Sequence, residues 1–157
     1  MPFTRKSRMA SRFARDERAQ ALVEFALVMP LFLLLVTGIF DVARAVWQEN
    51  SLAFAAREGT RYAIVHGSAG SPVVGPCTNC VNPATNNLAN VVNAVTSIAV
   101  GVYNIDVTID YPDGDNQRNH RVTVDATTPF IPLPSQYLLG GAFQITLRGG
   151  SQLYIQR

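Results

Sequence analysis

The chain has 157 residues, a formal charge of +2 and a mean hydropathy of +0.13. With one long apolar segment set aside, roughly 90 residues come after it, enough for one small domain with a modest core and too few for a second. The charge is unevenly spread: the opening MPFTRKSRMASRFARDER carries Arg5, Lys6, Arg8, Arg12, Arg15 and Arg18 against Asp16 and Glu17.

A basic tail can bind nucleic acid, but no aromatic-basic platform or reading helix accompanies this one. It lies directly before an apolar run, so the positive-inside rule accounts for it more simply. Residues 1–18 are expected to stay in the cytoplasm as a basic leader, with the domain beyond the apolar run exported and no nucleic-acid partner.

The next element is AQALVEFALVMPLFLLLVTGIF, Ala19–Phe40. Phe25 to Phe40 holds no charged residue, and Glu24 and Asp41 bracket it. At about 1.5 Å per residue that run falls slightly short of a bilayer core of ~30 Å, and extending it back to Ala19 reaches the full thickness. Residues 19–40 therefore read as a single transmembrane helix in the cytoplasmic membrane, N-terminus inside. Pro30 removes a backbone donor and is expected to bend the helix, which lipid-embedded helices tolerate. A secretory signal peptide is the rival reading, since Ala43-Arg44-Ala45 offers an A-x-A pattern. The arginine in that pattern and the long region before the run weigh against it.

From Asp41 the sequence DVARAVWQENSLAFAAREGTRYAIVHG has no proline, and Val42, Val46, Ala53, Ala56, Thr60 and Ala63 recur at the spacing of an amphipathic helix. Residues 41–66 are read as a continuation of the first helix, with Gly38 and Gly59 as soft points and Gly67 as the stop. Residues 67–157 form the exported α+β domain. It begins with a loop, 67–87, dense in Gly, Ser, Pro and Asn. LANVVNAVTSIAV then sets Leu88, Val91, Val92, Val95, Ile98 and Ala99 on one face of a second, shorter helix.

Beyond Gly101 the period drops to two: Ile105, Val107, Ile109 and Tyr111; then Val122, Val124 and Ala126; then Phe143, Ile145 and Leu147. A last short strand, SQLYI, is expected after Gly149-Gly150. Three or four antiparallel strands leaning on helix make an α+β fold. Pro129, Pro132 and Pro134 argue against regular strand between the middle strands.

Glu24 is the residue that asks for a function. A carboxylate in hydrocarbon costs about 2.5–3.5 kcal/mol on insertion scales, so it is either a boundary marker in the interface or a group with a partner. Cys77-Thr78-Asn79-Cys80 lacks the strand–helix context of a redox motif and would supply two of four metal ligands, with His66 and His120 recruited from afar. In an oxidising compartment a small disulfide between Cys77 and Cys80 that stiffens an exposed loop is the plainer reading. DYPDGDNQRNH gathers Asp110, Asp113 and Asp115 around Gly114, fails the calcium-loop pattern, and reads as a polar hairpin. There is no nucleophile–base constellation and no phosphate loop, so neither an enzyme nor a bound cofactor or metal is expected.

The stretch ALVEFALVMPLFLLLVTGIFDVARAVWQENSLAFAAREGTRYA resembles the N-terminal region of TadE-like proteins, pilin-related components of tight-adherence (Flp-type IV) pilus systems. The resemblance rests on VEFAL at Val23–Leu27, on Pro30 within the apolar run, and on the block Ala55-Ala56-Arg57-Glu58-Gly59-Thr60-Arg61-Tyr62-Ala63. It covers over a quarter of the chain.

By that resemblance a prepilin peptidase at the cytoplasmic face would cut Ala19–Gln20, making Gln20 the new N-terminal amine and Glu24 the fifth mature residue, with Phe25 next. Such substrates usually carry glycine before the cut, where this chain has Ala19. Glu24 of one subunit would neutralise the amine of a neighbour and set the register of assembly. Small residues such as Ala26 and Gly38, with Pro30 between them, would let helices pack in lipid.

The resemblance implies a structural pilin or pseudopilin. Its partners would be other pilin subunits, the inner-membrane assembly platform, the peptidase and membrane lipid. It would stay in the membrane or pass into an extracellular filament. The alternatives are an exported binding domain behind a conventional signal or anchor, and an exported metal- or redox-active domain using Cys77 and Cys80.

Overall fold

A computed structural model describes residues 6–156, and for residues 6–18 the backbone alone. The first five residues of the basic leader, and the side chains of the rest of it, lie outside the described residues. The chain divides into two units, with the boundary between Phe40 and Asp41.

The first element, α1, runs Lys6–Val65 and includes Pro30. In the first unit the large apolar side chains of residues 19–40 other than Val36 are exposed, Leu22, Phe25, Leu27 and Leu31 among them. This stretch is long and apolar enough to cross a membrane and has no protein cover of its own.

In the second unit α1 has one buried face made of Leu52, Ala55, Ala56, Gly59, Thr60, Ala63 and Ile64. The expected stripe is thus corrected in its first half. Val42 and Val46 are 65% and 53% exposed, and the buried face is rotated toward the small residues. Spacing alone placed valine and alanine on the stripe alike. Packing separates them, because small side chains let a sheet come close.

The sheet has four strands in the order β1-β2-β3-β4, all neighbours antiparallel: β1 Cys80–Val81, β2 Asp106–Asp110, β3 Arg121–Phe130 and β4 Ile145–Tyr154. Along β3, Val122, Val124, Ala126, Thr128 and Phe130 are buried while their neighbours are not, so one face of the sheet makes the core. A second helix, α2, Leu88–Ile98, adds Leu88, Val91 and Val95 to that core. The architecture is α+β: a long N-terminal helix, a short helix and a four-stranded antiparallel sheet.

Two glycines explain how closely the layers meet. A Cβ on Gly59 would collide with Val95 and touch Val124 and Val91, so this residue sits where α1, α2 and β3 converge. It is a packing position and not a soft point, and α1 passes through it unbroken. A Cβ on Gly149 would collide with backbone atoms of Leu52 and Ala53.

The Gly149-Gly150 pair therefore marks a close approach of β4 to α1, not a turn. The two short strands expected on either side of it are one strand of ten residues, and Phe143 falls outside it. Pro129 also lies inside β3, against expectation. The β2 pairing ends at Thr127, so beyond it β3 is bonded on the β4 side alone and a missing N–H there is tolerated.

Gly149→Ala should lower the domain's unfolding free energy by about 1–3 kcal/mol, because the obstacle is backbone that cannot rotate away. Gly150→Ala should change it far less, since its added Cβ would meet only the carboxylate of Asp125. Urea unfolding of the two variants in detergent, monitored by near-UV circular dichroism, measures the difference.

Candidate functional site

Residues 19–40 contain three polar side chains, Gln20, Glu24 and Thr37. Thr37 satisfies itself: its hydroxyl lies 2.9 Å from the Leu33 carbonyl and 3.0 Å from that of Leu34. Glu24 is different. Gln20 Nε2 donates to Glu24 Oε1 at 3.1 Å, one turn away on the same helix face. That donor is neutral, and among the described residues no basic side chain pairs with the carboxylate.

Glu24 is therefore a carboxylate on an exposed apolar helix with its charge unmatched. Two positions on, Ala26 has a backbone carbonyl that Pro30 cannot serve with an N–H. Phe25 is 61% exposed, and around Gly38 a Cβ would meet nothing within 4 Å. Glu24, Phe25, Ala26 and Pro30 are exposed, and Gly38 is half-buried.

At the other end of the apolar run the carboxylate is matched, although the buried Nε of Arg44 has no hydrogen-bond partner. Asp41 is 6% exposed. Its Oδ1 accepts from Arg44 Nη2 at 3.1 Å and its Oδ2 from the Leu133 backbone N–H at 2.7 Å. Arg44 Nη2 also donates to the Ile131 carbonyl at 2.7 Å, and the guanidinium lies 4.6 Å from the centroid of Phe130. This node ties α1 to the end of β3 and to a short helix, α3, Leu133–Leu138. Sequence reasoning missed it, taking Asp41 as a boundary and Arg44 as part of a cleavage pattern. The Asp-x-x-Arg spacing was the available signal, since residues three apart face each other on a helix.

The remaining residues singled out by sequence have structural roles. Cys77 and Cys80 have Cα atoms 6.1 Å apart with their sulfurs joined, within the normal range for a disulfide, and Cys80 opens β1 at the sheet edge. His66 stacks on Tyr62, ring centroids 4.1 Å apart, with Nδ1 2.8 Å from the Tyr62 carbonyl.

The three aspartates of the β2–β3 turn do not converge. Asp110 accepts from the Asn79 N–H at 3.0 Å, Asp115 contacts His120 Nδ1, and Asp113 Oδ1 accepts from Arg121 Nη2 at 2.7 Å. Arg121's side-chain and backbone hydrogen bonds hold Asp113 down at about 2 from its ordinary 3.8. Tyr111, buried with its hydroxyl donating to the Val74 carbonyl at 3.2 Å, is pushed up to about 12 by burial.

The fold and this pattern define a class: an α+β protein whose N-terminal apolar helix is suited to a membrane anchor or signal, with a lone carboxylate near its start. Residues 19–61 match the family model described as TadE-like protein. Neither a curated protein nor a solved structure matches the chain.

Asp41→Asn should weaken the Arg44 pair and the Leu133 bond, destabilising α3 by about 1–3 kcal/mol. Hydrogen exchange at the α3 amides should accelerate while β3 exchange holds. The Asp113 stabilisation, from a folded pKa below the unfolded 3.8, is present above that value and lost as pH falls toward about 2. Asp113→Asn should therefore flatten the acid limb of stability over that window, as read from thermal midpoints at successive pH values.

Proposed function

We propose that the chain is a structural pilin or pseudopilin of a tight-adherence-type pilus, acting in filament assembly or as a filament subunit through its N-terminal helix. The observation that carries this reading is Glu24, an unmatched carboxylate on an otherwise apolar and uncovered helix. A carboxylate at that depth in lipid is costly until a cation comes within a few ångströms. Cleavage of Ala19–Gln20 by a prepilin peptidase would create that cation, the Gln20 amine. A helix carries its own amine four residues from the carboxylate, and a neighbouring subunit can present a second one.

Pairing across subunits favours one axial register, the one that brings a neighbour's amine to Glu24. The uncovered apolar side chains, with Ala26 and Gly38 as points of close approach, supply the packing. Cys77 and Cys80 form a disulfide that fastens the edge of the exported domain, with the leader inside.

The node around Asp41 favours this reading over a conventional signal peptide. A cut after Ala45 would remove Asp41 and Arg44, leaving the Leu133 N–H without its acceptor and the Ile131 carbonyl without its guanidinium partner.

The mature protein, isolated from its own membranes or filaments, should begin at Gln20 by mass and N-terminal sequencing. Ala19→Gly should speed processing. Glu24→Gln should leave membrane insertion intact and reduce filament incorporation at least tenfold, given about 1.4 kcal/mol per decade and a penalty of about 2.5–3.5 kcal/mol for the mispaired charge. A mature start at Val46 would overturn the reading.

A further inference from the structure

Between Asp125 and Arg148 no residue of the chain is charged. The middle of that stretch is α3 and the loop after it. The loop is pinched at its base, where Ser135 Oγ donates to the Phe143 carbonyl at 2.9 Å and accepts from the Phe143 N–H at 3.0 Å. The pinch holds the intervening side chains outward: Tyr137 is 78% exposed, Leu138 69%, Leu139 64% and Phe143 58%. Four large apolar side chains clustered on one loop are far more than the scattered exposure normal for a soluble surface.

Their cover is indicated by where the loop is tethered. The first residue of α3, Leu133, donates its N–H to Asp41, and Ile131 accepts from Arg44. Asp41 is the residue after Phe40, where the apolar run ends. If that run crosses a bilayer, the face of the hydrocarbon core falls at Asp41. At about 1.5 Å per residue, Leu138 stands within some 10 Å of Leu133, comparable to the several-ångström depth of a headgroup layer.

For an interface of headgroups and upper acyl chains the composition of this stretch fits: leucine and phenylalanine for the acyl side, tyrosine for the headgroup level, and no ion to desolvate.

We infer that Tyr137, Leu138, Leu139 and Phe143 form a lipid-contacting foot that enters the interfacial layer of the same bilayer the N-terminal helix crosses. The inference rests on the membrane reading of residues 19–40. Its occupant is lipid.

The test uses the full chain in phosphatidylcholine–phosphatidylglycerol vesicles, with Cys77 and Cys80 replaced by serine and an environment-sensitive dye on Leu139→Cys. A parallel preparation carries the dye on Arg118→Cys, in the exposed β2–β3 turn. At position 139 the emission should be blue-shifted, quenched by lipid bearing a shallow nitroxide, and several-fold less quenched by aqueous iodide than at 118. A Tyr137→Cys label should behave like 139.

If the chain floats with the vesicles but the dye at 139 is as open to iodide as at 118, the foot is refuted and the anchor stands. Shielding at 139 that ignores nitroxide lipid and grows with the protein-to-lipid ratio would assign the patch to a second copy and overturn the inference. A chain that fails to float overturns the membrane reading, and the foot with it.

Discussion

Between Leu52 and Ala63 the long helix turns Ala55, Ala56, Gly59, Thr60 and Ala63 toward the sheet, and at Gly149 the facing strand comes so near that a single methyl group would strike helix backbone. Everything else in the second unit is arranged around that approach. Small residues on α1 let β3 and β4 lie flat against it, so Val122, Val124 and Ala126 are covered by helix without needing long side chains to reach it. Thr60 shows the same economy: its hydroxyl turns back to the Ala56 carbonyl at 2.8 Å and reaches the Ser151 carbonyl at 3.4 Å, so the polar group is satisfied inside the core. The second helix then needs to supply only Leu88, Val91 and Val95 to close the remaining side.

The same helix meets two different demands. In the second unit its buried face is short-chained and defined by a sheet. In the first unit it carries large apolar residues all round, with no protein against them. A stretch apolar on every side is what lipid or a bundle of like helices calls for, while a striped one is what a domain core calls for. Both patterns are written into a single helical element, and the change from one to the other comes at Asp41, a buried carboxylate directly after the exposed Phe40.

Much of this was readable from residue order. The α+β class, the second helix over Leu88–Ile98 and the alternation through Val107, Ile109, Val122 and Val124 all follow from periodicity. The failures share one physical cause, which is that sequence patterns rank side chains by hydrophobicity while close packing ranks them by size. Val42 and Val46 looked like core and are exposed; Gly59 and Gly149 looked like breaks and are contacts. The short β1 strand in the cysteine loop and α3 after the proline cluster had no period to betray them, being two and six residues long. The Asp41–Arg44 node was hidden for another reason: its partners, Ile131 and Leu133, are backbone groups 87 and 92 positions away.

The two carboxylates that bracket the apolar run are alike in the sequence, one acidic residue at each border of an uncharged stretch, and the structure treats them oppositely. Asp41 is buried and matched by a guanidinium and a backbone N–H from the domain it belongs to. Glu24 is exposed and has a neutral amide one turn away. A residue that merely marked a membrane border would have no reason to sit five positions into the 19–40 run, with Leu22, Val23, Phe25 and Leu27 around it. Moving it back toward Arg18 would relieve the desolvation and bring it nearer the basic leader. Its position at that depth is what the proposed register between subunits draws on, since a charge left open within one chain is available to another.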